Sequence, residues 1–151
     1  METCHAQRRS SGDGTGAFND ALSYETTIPN PTYLLAADFN NDGKQDFVTA
    51  SGAFLPQGST IEVAHGDGNG RFTKKSIGNF GVSSPFAIAT ADFNNDGKLD
   101  LAVTQPLTGK ISFLLNDGTG GFQSDAFNAS SVFFNAQPSA ITAGDFNNDN
   151  K

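Results

Sequence analysis

Three landmarks recur in fixed order along this chain of 151 residues, and their spacing constrains the fold more than any other feature. The first is a proline seven residues ahead of an acidic loop: Pro31 before Asp38, Pro85 before Asp92, Pro138 before Asp145. The second is the loop itself, DFNNDGKQD at 38–46, DFNNDGKLD at 92–100 and DFNNDNK at 145–151. The third is a glycine-rich turn closed by phenylalanine, GDGTGAF at 12–18, GDGNGRF at 66–72 and NDGTGGF at 116–122. Successive copies lie 50 to 54 residues apart, a period that belongs to repeat architectures in which each unit buries its apolar face against the next.

Between the landmarks, apolar residues alternate with period two, the signature of half-buried strands. In the second unit this predicts strands over 86–91, 99–104, 110–115 and 121–124, with Ile111, Phe113 and Leu115 on one face. Ile61, Val63 and His65 hold the matching places in the first unit. No segment sustains the i, i+3, i+4 spacing of a long helix. The expected fold is all-β, built from antiparallel four-stranded blades of a β-propeller. The expected organisation is an irregular start (1–11), the end of a preceding repeat (12–30), whole repeats at 31–84 and 85–137, and the start of a third at 138–151. Propellers have about 4–8 blades, so two and a fraction do not close a ring. Because residue 151 falls inside the third acidic loop, the chain is expected to be a piece of a longer repeat protein.

Composition narrows the function. Nine Lys and Arg stand against 16 Asp and Glu, a net charge of −7. That balance disfavours nucleic-acid backbones, which need clustered cations. No stretch reaches the roughly 18 apolar residues of a membrane span. The single Cys4 allows no intramolecular disulfide. The first ten residues carry Arg8 and Arg9 but no apolar h-region follows, so no secretory signal is recognisable, and Cys4 with His5 is read as an irregular end.

The acidic loop reads as a calcium site. Asp38, Asn40, Asp42 and Asp46 stand at positions 1, 3, 5 and 9, with Gly43 at 6 and the Lys44 carbonyl at 7. Asp92, Asn94, Asp96, Gly97, the Lys98 carbonyl and Asp100 repeat the pattern. Oxygen donors without Cys or His disfavour zinc and copper, and a flexible oxygen cage suits Ca²⁺ better than Mg²⁺. Three carboxylates in one loop repel by about 4 kcal/mol per pair at ~4 Å and a dielectric near 20, a cost that a dication removes. The loops hold eight of the 16 carboxylates, and two bound Ca²⁺ would move the net charge from −7 to −3. An EF-hand fails twice: Thr49 or Val103 replaces the Glu at position 12, and the flanks alternate like strands. The missing Glu points to a modest affinity, in the ~10⁻⁴ to 10⁻³ M class. In the third copy Asn150 takes the glycine's place, the next-best residue for left-handed backbone.

Other features read as structural. The glycine turns lack a GKS/T ending and open no helix, so a hairpin explains them better than a phosphate cradle. Phe18, Phe72 and Phe122 after the turns, and Phe39, Phe93 and Phe146 at loop position 2, recur in register and read as packing between blades. His65 reads as structural. Asn128-Ala129-Ser130 is a glycosylation sequon where a eukaryotic secretory pathway applies. In an up-and-down blade with strands A to D, the acidic A–B loop and the C–D glycine turn share one end. The B–C and D–A connections, which vary in length, share the other, the expected side for a protein or glycan partner. Phe54, Leu55, Phe133 and Phe134 lie in those connections as anchors or as buried support.

The DFNNDGKxD loops and the NDGTGGF-type turns resemble the FG-GAP/VCBS repeats, known from the propeller of integrin α subunits and from many bacterial surface and secreted proteins. The resemblance covers about 12–151. It implies a seven-bladed propeller with Ca²⁺ in the A–B loops, held by Asp38, Asn40, Asp42, the Lys44 carbonyl and Asp46, then by Asp92, Asn94, Asp96, the Lys98 carbonyl and Asp100. Asp145, Asn147 and Asp149 match the opening of the motif. The expected function is a non-catalytic, calcium-stabilised scaffold for adhesion or recognition at the cell surface or outside the cell, where calcium is abundant enough for weak sites. The alternatives are an accessory region of a larger secreted enzyme, of polysaccharide lyase or phospholipase type, and a propeller lectin, which the lack of Trp disfavours.

Overall fold

The structure, a computed structural model, describes residues 24–26, 28, 30–52, 60–78, 80, 82–124, 132–133 and 137–146. Two antiparallel sheets account for the strands. The first runs β1 (Tyr33–Ala37), β2 (Asp46–Ser51), β3 (Thr60–Gly66) and β4 (Phe72–Gly78) in that spatial order. The second runs β5 (Ile88–Ala91), β6 (Asp100–Gln105), β7 (Lys110–Asn116) and β8 (Phe122–Ser124), with β9 (Val132–Phe133) also paired to β7. No helix occurs among the described residues. This is the expected all-β arrangement, and the matching strands of the two units carry the same registers: Leu35 opposite Val48 in one, Ala89 opposite Ala102 in the other.

Three details depart from the simple alternating pattern. The central strands β2 and β6 are buried at all six positions rather than at alternate ones, since each lies between two neighbouring strands of its sheet. β5 begins two residues later than the apolar pattern predicts. There Phe86 and Ala87 both face Thr104: the Phe86 N–H donates to the Thr104 carbonyl (3.0 Å) and the Ala87 N–H to its hydroxyl (3.0 Å). Two residues against one is a β-bulge, which bends the chain into its strand. Finally, the D–A connection contains β9. β8 has only three residues against seven in β4, so the start of β7 at Lys110 and Ile111 takes Phe133 and Val132 as its partners.

The core lies between the sheets. Val48, Ala50, Ile61 and Val63 of the first face Ile88, Leu101, Val103 and Leu114 of the second, with Phe39, Val82 and Phe122 closing the ends. The opposite face of the first sheet is covered by Tyr24, whose ring meets Phe47 and Phe72 edge-on and whose hydroxyl donates to buried Glu62 (2.9 Å). Burial and the adjacent carboxylate push the Tyr24 hydroxyl well above the usual phenol range. The opposite face of the second sheet, with Ala89, Ala102, Ile111 and Phe113, forms a groove of about 700 Å³ against residues 141–146. Each sheet thus covers its neighbour with one face and offers the other, the arrangement of stacked repeats.

Candidate metal centre

Both acidic loops are curled by their own side chains. Asp38 accepts the N–H of Asp42 on Oδ1 (3.1 Å) and of Gly43 on Oδ2 (2.8 Å); Asn40 Oδ1 accepts Asp42 N–H (3.0 Å) and Asp42 Oδ1 accepts Lys44 N–H (2.9 Å). The second loop repeats every bond: Asp92 to Asp96 (3.0 Å) and Gly97 (2.8 Å), Asn94 to Asp96 (2.9 Å), Asp96 to Lys98 (3.0 Å). Short Asx side chains suit this role because they mimic a backbone acceptor two to five residues away. The curl requires left-handed backbone at Asn41 (φ 58°) and Gly43 (φ 80°), matched by Asn95 (59°) and Gly97 (83°). No atom lies within 4 Å of the point where a Cβ at Gly43 would stand, so only the backbone forbids a side chain. Gly43→Ala should therefore cost about 1–2 kcal/mol from strain alone, read as a shift in the urea midpoint at unchanged slope.

The ninth position does something else. Asp46 and Asp100 are fully buried at the starts of β2 and β6. Asp46 accepts the Phe39 N–H on Oδ2 (3.0 Å) and the Gly66 N–H on Oδ1 (2.9 Å). Asp100 accepts the Phe93 N–H (3.1 Å) and the Asn116 N–H (2.9 Å) in the same way. These carboxylates pin the loop to the end of strand C, and each oxygen retains a lone pair. Burial raises the pKa of Asp100, its two N–H donors pull it down, and the charges of Asp96 and Asp92 add to the rise. A folded pKa above the unfolded one means that this group's contribution to stability declines as pH climbs from about 3.9 through the raised value.

Towards solvent the loops expose Asp42 and Asp96. Partial desolvation opposes ionisation of Asp42, but the Lys44 N–H, the Asn40 side chain and the Lys44 ammonium outweigh it and lower its pKa. Asp96 is lowered foremost by the Lys98 ammonium, 2.9 Å from Oδ2, and Lys98 is raised in return by the same bond. Lys44 makes the longer version, 3.4 Å. In both, the lysine at position 7 lies across the adjacent glycine turn, over Gly68 or Gly118. Asp67 and Asp117 shape those turns: Asp117 Oδ1 accepts the N–H groups of Thr119 (2.7 Å) and Gly121 (3.1 Å), and these bonds hold its carboxyl below the usual range.

The structure therefore brings Asp38, Asn40 and Asp42 into one curl and Asp92, Asn94 and Asp96 into another, with Asp46 and Asp100 beneath as anchors. Among the described residues no three His, Cys, Asp or Glu side chains converge as a ready-made metal site. The donor set, oxygen throughout, fits a hard cation. Asp145 is exposed at the end of the described chain, and Asn147 and Asp149 lie outside the described residues, as do Phe54, Leu55, Phe134 and the sequon. The residue that sequence reasoning missed is Asn116, 3 % exposed, whose side chain donates to the Phe39 carbonyl (2.8 Å) and the Leu99 carbonyl (3.0 Å). Its one signal was the change from Gly66 to Asn116 at matching places.

Fold and loops together define a class: a repeat protein of antiparallel four-stranded blades, each with an Asp/Asn-rich hairpin loop beside a glycine turn. A family model described as FG-GAP-like repeat matches residues 38–103 and 92–151, more than half of the chain. The chain belongs to the FG-GAP-like repeat family, and its two sheets are β-propeller blades. No curated protein and no solved structure matches it. No helix among the described residues is long and apolar enough to cross a membrane.

Proposed function

We propose that this chain is a calcium-binding, non-catalytic propeller segment that serves adhesion or recognition outside the cytoplasm. The observation that carries the reading is the duplication of one oxygen-lined curl, bond for bond, in two repeats. A turn needs a single Asx acceptor; three oxygen-bearing side chains, two of them carboxylates, are wound into each loop, and a dication would neutralise their charge. Asp38, Asn40 and Asp42 with Asp46, and Asp92, Asn94 and Asp96 with Asp100, would hold the ions, joined by the Lys44 and Lys98 carbonyls. A bound dication would supply charge neutralisation, beside the lysine ammonium groups that pair with Asp42 and Asp96. The expected affinity, about 10⁻⁴ to 10⁻³ M, suits extracellular calcium. A protein or glycan partner would dock at the other end, on the B–C and D–A connections.

Calcium at tenfold excess over its dissociation constant stabilises by about 1.4 kcal/mol per loop. For two loops in a chain of this size the melting temperature rises by roughly 5–10 °C. EDTA should reverse the rise, and magnesium at the same concentration should reproduce little of it. An unchanged melting curve at saturating calcium would defeat the proposal.

A further inference from the structure

The two loops share their internal hydrogen bonds but not their surroundings. β3 ends at Gly66 and β7 at Asn116, and both backbone N–H groups serve the ninth-position carboxylate below them. At Gly66 a side chain would run into the Gln45 carbonyl. At Asn116 the backbone leaves room, and the amide reaches back 77 residues to the Phe39 carbonyl, between the first loop's ligand positions 1 and 3. The same amide donates to the Leu99 carbonyl of the second loop (3.0 Å) and its Oδ1 accepts the Gly118 N–H (2.9 Å), so the side chain is used at both ends. Phe39 itself is 1 % exposed and meets Phe122 of the second sheet edge-on, with centroids 5.6 Å apart. Asn40 donates from Nδ2 to His65 Nδ1 (3.3 Å), and the His65 ring rests against Gly120 of the second sheet's glycine turn.

Among the described residues no such frame from a neighbouring sheet surrounds the second loop. Phe93 is 37 % exposed and packs on Phe113 of its own sheet, Asn94 is exposed, and Leu115 occupies the place of His65. A cation site gains affinity when ligands are already held in place, since less order must be created on binding. We infer that the two loops are unequal cation sites: the second repeat preorganises the first loop, which binds calcium more tightly, and Asn116 is the positioning residue. This inequality rests on the calcium reading above.

Two full-length variants separate the sites. Asp92→Asn with Asp96→Asn leaves the first loop functional, and Asp38→Asn with Asp42→Asn leaves the second; in both, Asn keeps an acceptor for the loop's N–H groups. Calorimetric titration with calcium should show the first loop binding at least fivefold more tightly. Adding Asn116→Gly, the residue found at the matching place in the first repeat, should weaken the first loop about five- to tenfold. The second loop also loses the amide's bond to its Leu99 carbonyl but keeps the N–H that serves Asp100, so it should weaken by less than half as much as the first. A merely structural Asn116 would weaken both loops alike. Without calcium, hydrogen exchange at the Asp42 and Gly43 amides should accelerate in Asn116→Gly while Asp96 and Gly97 hold. If that variant does not fold, His65→Leu should weaken the first loop alone. Equal affinities, or a tighter second loop, overturn the inference and leave the calcium reading standing; no heat at either loop overturns both.

Discussion

Replacing Phe39 with alanine is expected to destabilise the chain by about 3–5 kcal/mol, while Phe93→Ala costs well under half as much. Both residues stand at position 2 of the same motif, DFNNDGK, and sequence gives no reason to rank them. Phe39 is a member of the core between the sheets, at 1 % exposure; Phe93 lies on the rim of the open groove at 37 %. Removing a buried ring forfeits its transfer energy and leaves a cavity that the Phe122 and Leu101 neighbourhood fills only in part. Against the roughly 5–15 kcal/mol that holds a typical domain folded, the Phe39 loss is severe. Urea denaturation of the two variants, compared by midpoint at constant slope, decides the matter. Equal losses would mean that the stacked sheets contribute less to stability than the motif's own local structure.

The second large effect is Asp46→Ala, expected to cost about 2–5 kcal/mol even without calcium. The change strands two buried N–H donors, those of Phe39 and Gly66, and each unsatisfied group costs about 1–3 kcal/mol. Asp46→Asn should recover part of the loss, because an amide oxygen can satisfy one N–H while its NH₂ faces the other. Asp38→Ala is the contrast: its acceptors serve exposed N–H groups, which water replaces at little cost. With calcium present the ranking narrows, since both residues are then proposed ligands. Thermal melts of the three variants with EDTA and with calcium test both halves. A harmless Asp46→Ala in EDTA would show that the ninth-position carboxylate is not the anchor its contacts indicate.

Much of the fold was legible because its determinants are local. Alternation in KISFLLN, the turn chemistry of NDGTGGF and the repeated DFNNDGK each act within a few residues, so strands, hairpins and the curl of the loops follow from short-range preferences. The bulge at Phe86 and Ala87 and the short strand β9 did not follow, because each answers a partner elsewhere: Thr104 in one case, the unpaired start of β7 in the other.

For the candidate site, spacing alone singled out the oxygen-bearing residues, and a period of about fifty residues paired the two loops. Which of those carboxylates faces water and which is buried as an anchor was a tertiary matter, decided where β2 and β6 pass under the ends of β3 and β7. So was the inequality of the loops. A motif is identical wherever it is written, but its surroundings depend on which sheet packs against it. One blade covers the first loop's phenylalanine and sends Asn116 to its backbone, whereas the second loop borders an open groove. Long-range burial, not local pattern, makes that difference.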